Sequence, residues 1–187
     1  MFLSKTQLKS IGFKSIGENV KISDKASIIG QHRIEIGSNV RIDDFCILSA
    51  GEDGIKIGNY VHIAPYCALV GKAMIIMEDF SGLSSRVCIY SSTDDYSGEY
   101  MTNPTVPDEY KNVISKPVTL QKHSIIGCGS VILPGVTIGS GASVGAMSLV
   151  TKDCDPGFIY VGIPAKRIKE KSKKLFELET KLVNGRI

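Results

Sequence analysis

An aliphatic residue returns every six positions along most of this chain. Ile16, Ile22 and Ile28 form a first set of three, followed by Ile36, Ile42 and Leu48, then Ile57, Ile63 and Leu69, then Met77, Leu83 and Ile89. After an interruption the spacing resumes at Leu120, Ile126, Ile132, Ile138, Val144 and Val150. On an α-helix six residues turn by about 600°, so these side chains would scatter around the axis. On extended chain six is an even number, and all of them stay on one face. Small or β-branched residues such as Val40, Cys46, Val61, Ser124 and Ala142 follow the marked positions by four, and turn formers (GENV, GSNV, GCGS, GSGA) lie between. Three bends per set return the chain to its start. Short strands stacked coil on coil then bury the aliphatics and satisfy their backbone groups from the coils above and below. The repeat predicts an all-β chain, a parallel β-helix of about six coils.

The sets are separated by gaps of eight, nine and eight residues, so the early coils carry small insertions around residues 30–33, 51–54 and 71–73, all at one corner. The segment 90–118 is far longer and interrupts the period after the fourth coil; a connection of that size in a compact domain is commonly functional. It holds four of the seven tyrosines and the adjacent pair Asp94 and Asp95. Such a composition suits an ordered polar arm. Before the repeat, Ser4 and Gln7 have capping-box spacing and predict a short helix ahead of Ile11. After it, Leu175, Leu178 and Leu182 predict a helix over 169–182. The expected layout is one domain: 1–15 as helix and lead-in, 16–161 as β-helix with the loop 90–118, and 162–187 as a C-terminal segment and helix.

Composition excludes several classes. With 187 residues, 43% of them hydrophobic, the chain can bury one substantial core. It has no apolar run of membrane-spanning length, and MFLSKTQLKSIG is too polar for a secretory signal, so a cytoplasmic protein without a membrane span is expected. Five dispersed cysteines without a C-x-x-C pair argue against disulfides and zinc. His32, His62 and His123 include no close pair, so no metal is expected, and the first two read as structural or rim residues. The net charge of +3, concentrated in KRIKEKSKK, does not point to nucleic acid.

The hexads, the arm after the fourth coil, ILPGVTIGSGASVGAMSLVTKD and the closing GIPAKRI resemble the left-handed parallel β-helix acyltransferases over nearly the whole chain. Within them the chain resembles the galactoside and xenobiotic acetyltransferase branch. Through RIDDFCILS, MEDFSGLSSRV and IYSSTDDYSG it is most similar to bacterial enzymes that N-acylate nucleotide-linked 4-amino-4,6-dideoxy sugars. The resemblance implies a left-handed coil, acetyl-CoA or another short acyl-CoA as donor, a nucleotide sugar as acceptor, and a homotrimer with sites between subunits. It also implies a role in making surface polysaccharide precursors.

The branch usually carries a histidine in the arm as general base toward a hydroxyl, and the matching position here is Asp94. An alcohol is a poor nucleophile until a base removes its proton, and an ordinary carboxylate is weak at that task. An amine, once deprotonated, attacks a thioester unaided and needs positioning and an exit for a proton. Aspartate therefore favours N-acylation. Asp94 and Ser84 are expected at the reacting amine, with Asp95, Tyr90 and His123 as contacts to the substrate. The plain alternative for the Asp-Asp pair is a solvated turn. By match to family positions, Cys128, Ala146, Thr151, Lys152, Lys166 and Lys169 would line the donor groove. Two rivals stand beside this reading: a sugar O-acetyltransferase using Asp94 or His123 as base, and a noncatalytic β-helix scaffold.

Overall fold

Each set of three hexads becomes one coil of a parallel solenoid in the structure, a computed structural model that describes residues 1–185. The first strands of the coils, among them Ile34–Ile36, Ile75–Met77 and Val118–Leu120, stack as a six-stranded first face. The second strands, among them Arg41–Ile42, His62–Ile63, Gly82–Leu83 and Ile125–Ile126, begin an eight-stranded second face. The third strands, such as Ala68–Gly71, Cys88–Tyr90 and Val131–Ile132, give a six-stranded third face.

Register follows the hexads. Ile22, Ile42, Ile63, Leu83, Ile126 and Val144 are successive partners on the second face. None is more than 3% exposed. A slip of one residue would turn the whole row to solvent, so burial fixes the register. Above the six expected coils a partial seventh begins: Cys154 bridges Ile138, and Phe158–Val161 pairs with Ser143 and Val144.

All the early insertions follow strands of the third face, and the long arm leaves from the same corner after Cys88–Tyr90. The arm is tied at its root. Ser92–Thr93 pairs antiparallel with Ile114–Ser115, and the Ser91 hydroxyl donates to the Ala73 carbonyl at 2.6 Å.

Helix α1 (Lys5–Ile11) has the expected capping box: Gln7 N–H donates to Ser4 Oγ at 3.3 Å and Ser4 N–H to Gln7 Oε1 at 2.9 Å. The tail departs from the sequence reading. Lys166–Glu170 is a strand, antiparallel to Phe158–Val161, and helix α2 (Lys174–Val183) begins only after it. The edge of the seventh coil carries backbone groups that need partners, and that demand overrides helical leucine spacing this close to the solenoid. At the opposite end Phe2 bridges Ser23 antiparallel, and Leu3 N–H donates to the Ile22 carbonyl. The second face is thus closed by antiparallel chain above and below.

Candidate active site

The corner joining the second and third faces is a column of four-residue bends stacked by backbone hydrogen bonds. Gly129 N–H donates to Ser85 O at 3.0 Å, and Met147 N–H to Cys128 O at 2.8 Å. Ser84, Cys128 and Ala146 therefore lie along one edge of the solenoid. Cys128, Ala146 and Met147 are exposed there, and the half-buried Ser84 has its backbone carbonyl held by the Cys67 thiol at 3.1 Å. Glycine is required where the coils meet closely: a Cβ on Gly127 would stand 2.4 Å from the Ala146 nitrogen. Lower on the edge Phe45 and Tyr66 stack at 5.0 Å, and the Arg86 guanidinium lies 5.2 Å from the Tyr66 ring centre.

Asp94 stands at the next corner, at the root of the arm. It is half-buried, and its carboxylate accepts no hydrogen bond among the described residues. Asp95 differs. Its Oδ1 accepts from Ser97 N–H at 2.6 Å and its Oδ2 from Asn112 Nδ2 at 2.9 Å. Those hydrogen bonds, from Ser97 first and Asn112 after it, hold the Asp95 carboxyl below its usual range. Asp95 therefore shapes the turn, while Asp94 is left free. Tyr90 ends its strand with the ring partly exposed, and burial, with Cys88 adding, pushes its phenol up. Thr151 and Lys152 are exposed at the same corner in the sixth coil.

A single chain does not bring Ser84 and Asp94 together. Cys88–Tyr90 runs between their corners, and three extended residues put about 10 Å between them. Lys166 and Lys169 stand on the closing strand over the second face.

His123 goes elsewhere. It occupies the corner between the first and second faces, where its ring stacks on Phe80 at 4.8 Å and meets Phe176 of α2 edge-on at 5.2 Å. Its Nε2 lies 2.7 Å from Glu179 Oε2, and Lys122 pairs with the same carboxylate. The Lys122 hydrogen bond, aided by that of His123, outweighs burial and holds Glu179 below its ordinary value. Within this chain His123 anchors a helix, and it is not brought to Ser84 or Asp94.

Sequence reasoning missed a cluster on the second face. His62 Nε2 lies 2.8 Å from Asp43 Oδ2, and Arg41 Nε donates to Asp43 Oδ1 at 2.7 Å. Asp43 is only 7% exposed; burial pushes its carboxyl up, but the hydrogen bonds of His62 and Arg41 together prevail and leave it lowered. The signal was present in the coil length: Arg41 and His62 are register partners, and Asp43 follows Arg41 by two.

Residues 117–152 match the family described as bacterial transferase hexapeptide (six repeats). The dTDP-4-amino-4,6-dideoxy-D-glucose acyltransferase of Escherichia coli is 57% identical over 179 residues, covering 96% of this chain and 93% of that protein. The chain belongs to the hexapeptide-repeat acyltransferases. Among solved structures of this acyltransferase family, AntD, an N-acyltransferase from Bacillus cereus, superposes with a TM-score of 0.95 at 49% identity, covering 98% of both chains. AntD has been solved with dTDP and coenzyme A, with dTDP-4-amino-4,6-dideoxyglucose and coenzyme A, and with dTDP and 3-hydroxybutyryl-CoA. Several of those structures are of D94A, D94N, S84A, S84C or S84T forms of AntD. In the present acyltransferase no helix among the described residues is long and apolar enough to cross a membrane. The solenoid is the left-handed parallel β-helix of this family.

Proposed function

We propose that this chain is an acyl-CoA-dependent N-acyltransferase acting on the amino group of a nucleotide-linked 4-amino-4,6-dideoxy sugar. The observation that carries the reading is the unequal pair in the arm: both Asp95 oxygens are taken by the turn, while the half-buried Asp94 carboxylate is unengaged among the described residues. A carboxylate so placed suits a sugar ammonium or amine. The likeness to the Escherichia coli acyltransferase and to AntD with its nucleotide sugar supports the same acceptor.

The reaction is amide formation. The deprotonated amine attacks the thioester carbonyl, the C–N bond forms, the C–S bond breaks, and coenzyme A leaves as thiolate. The proton lost by nitrogen ends on that sulfur. Asp94 orients the amine and receives its hydrogen bonds, which is catalysis by positioning. Ser84 shares the contact, and Tyr90 meets the sugar or its nucleotide. The O-acetyltransferase rival loses one of its two bases, because His123 is engaged by Glu179, and would have to rely on Asp94.

Because Ser84 and Asp94 occupy different corners, the reading requires a second copy, with the Ser84 edge of one chain against the arm of the next. A closed homotrimer provides three such sites. The donor lies along the edge formed by Cys128 and Ala146, with Thr151, Lys152, Lys166 and Lys169 toward its charged nucleotide end. Lysine meets phosphate there as a point charge. Residues 1–187 act as one acyltransferase domain, in the cytoplasm, in the making of a surface polysaccharide precursor, with acetyl-CoA as the first donor to try.

The test is to incubate the purified protein with acetyl-CoA and dTDP-4-amino-4,6-dideoxyglucose, follow thiol release and identify the product by mass spectrometry. Amide formation is expected. Thiol release only with sugars that lack the amine would overturn the reading.

A further inference from the structure

The corner between the second and third faces has a buried inner column beside its outer edge. Cys46, Cys67, Val87, Ser130 and Ser148 follow one another up it, each one residue ahead of a register partner on the third face, and none is more than 2% exposed. Three of them donate to the bend of the coil above. Cys46 Sγ donates to Ala64 O at 3.1 Å, Cys67 Sγ to Ser84 O at 3.1 Å, and Ser130 Oγ to Gly145 O at 3.0 Å. In each case the acceptor lies three residues before the next member of the column. Val87 has no donor to give, and above it the Gly127 carbonyl accepts from Ser130 N–H of its own bend at 3.3 Å. The bend thus has two arrangements within one molecule, docked on the coil below or closed on itself, and the three that dock are those with such a donor beneath.

Ser84 belongs to the docked kind. Its N–H donates to Ile126 O in the coil above at 2.9 Å, so both peptide groups that flank its Cα are held, one from above and one from below. The direction of its Cα–Cβ bond is then fixed, and the hydroxyl is left with rotation about χ1. Cys46 and burial push the Cys67 thiol up, so at neutral pH it keeps the proton it donates. Of the three docked bends only this one begins with a side chain able to hydrogen-bond an amine, since Ala64 has a methyl group and Gly145 has none.

Resting on the N-acyl transfer above, we propose that Cys67 is a positioning residue of that reaction: its buried thiol fixes the Ser84 peptide, and with it the direction from which the Ser84 side chain meets the acceptor amine. Cys67 touches neither substrate. It acts through Ser84 alone, whereas Cys46, with the same bond one coil lower, serves only the bend at Ala64.

The test replaces Cys67 by side chains the column already accepts. Cys67→Val copies Val87 and removes the donor, Cys67→Ser copies Ser130 and keeps one, and Cys67→Ala stands in should the valine not fold. Cys46→Val makes the same change under Ala64. With dTDP-4-amino-4,6-dideoxyglucose and acetyl-CoA, Cys67→Val should lose about tenfold in kcat, a partial misplacement where a full 1 Å displacement costs about 10²-fold. The KM for acetyl-CoA should stay unchanged. Cys67→Ser should remain within about twofold of the wild type, because a hydroxyl replaces the weaker thiol donor, and Cys46→Val should keep its kcat. In a Ser84→Ala background, Cys67→Val should cost nothing further in kcat, because the group it positions is gone. Wild-type kcat in Cys67→Val, a Cys67→Ser enzyme that falls as far as the valine, the same loss from Cys46→Val, or an undiminished loss in the Ser84→Ala background overturns the role of Cys67 alone. A wild type that forms no amide overturns the N-acyltransferase reading and this role with it.

Discussion

Ser92 and Ser115 face each other in antiparallel register, so the arm leaves the solenoid and returns to it at one point. Everything beyond that clasp, from Thr93 to Ile114, is a closed excursion held at its base. Asp94 lies two residues from the clasp, where the chain is best fixed, and so the arm presents its free carboxylate from a stable root.

That placement separates the two neighbouring aspartates experimentally. Asp94→Asn is expected to lower kcat/KM for the amino sugar by about 10²-fold, the scale of a misplaced reacting group. Asp95→Asn keeps a hydrogen-bonding side chain in the turn and should stay within a few-fold of wild type. Steady-state kinetics on both variants decides it. Equal losses would mean that the pair acts only through the shape of the turn.

The docking of α2 should respond to acid. Glu179 is held below its ordinary value of 4.5 by Lys122 and His123, so its contribution is complete above that pH and fades as the pH falls below it. Protection of the amides of residues 174–183, taken relative to the intrinsic exchange rate at each pH, should fall below about pH 4.5. In Glu179→Gln the same amides should exchange faster at neutral pH, with a shallower acid dependence. If exchange in α2 ignores both acid and the substitution, the helix is held by Phe176 and the leucines alone.

Core substitutions should divide by polarity. Ile63 is fully buried in the middle of its row, and Ile63→Ala should cost about 2–5 kcal/mol. Ser124 is equally buried, yet its hydroxyl has no hydrogen-bond partner among the described residues. Ser124→Ala removes an unsatisfied group with little change of shape and should be neutral or stabilising by about 1 kcal/mol. Urea denaturation of both variants checks the pair, and a strongly destabilised Ser124→Ala would show that the hydroxyl binds a buried water.

The thiols offer a direct view of the donor edge. Cys46, Cys67 and Cys154 are buried, and burial pushes the Cys154 thiol up to about 12, whereas Cys128 is exposed. A thiol reagent should modify Cys128 first in the native protein and reach those three only on unfolding. Acetyl-CoA should slow the Cys128 reaction if the donor lies along that edge. Unchanged labelling in saturating acetyl-CoA would move the donor elsewhere.

Much of this fold was legible because its constraint is periodic. Ile22, Ile42 and Ile63 are readable as one buried row from spacing alone, and the equal placement of the early insertions marks the corner from which the arm departs. What escaped was set by contacts between coils or beyond them. Lys166–Glu170 looks helical by local spacing, and only the open edge of Phe158–Val161 makes it a strand. Asp43 and His62 meet because one coil happens to be about twenty residues long at that point, which no local motif records. His123 follows the arm in sequence, but the corner it occupies faces α2. Asp94 could be singled out by resemblance, whereas its contrast with Asp95 needed the Asn112 and Ser97 hydrogen bonds.

Parallel strands that rise coil by coil have a natural hazard: a flat, unfinished top on one molecule can seed pairing with the bottom of another, and the pairing can propagate without limit. Here the second face meets a reversed strand at each end, Lys166–Glu170 above and the Phe2 bridge below. The upper one carries Lys166, Arg167, Lys169 and Glu170 along its rim. End-to-end fibre growth along this face is therefore opposed by chain direction and by charge.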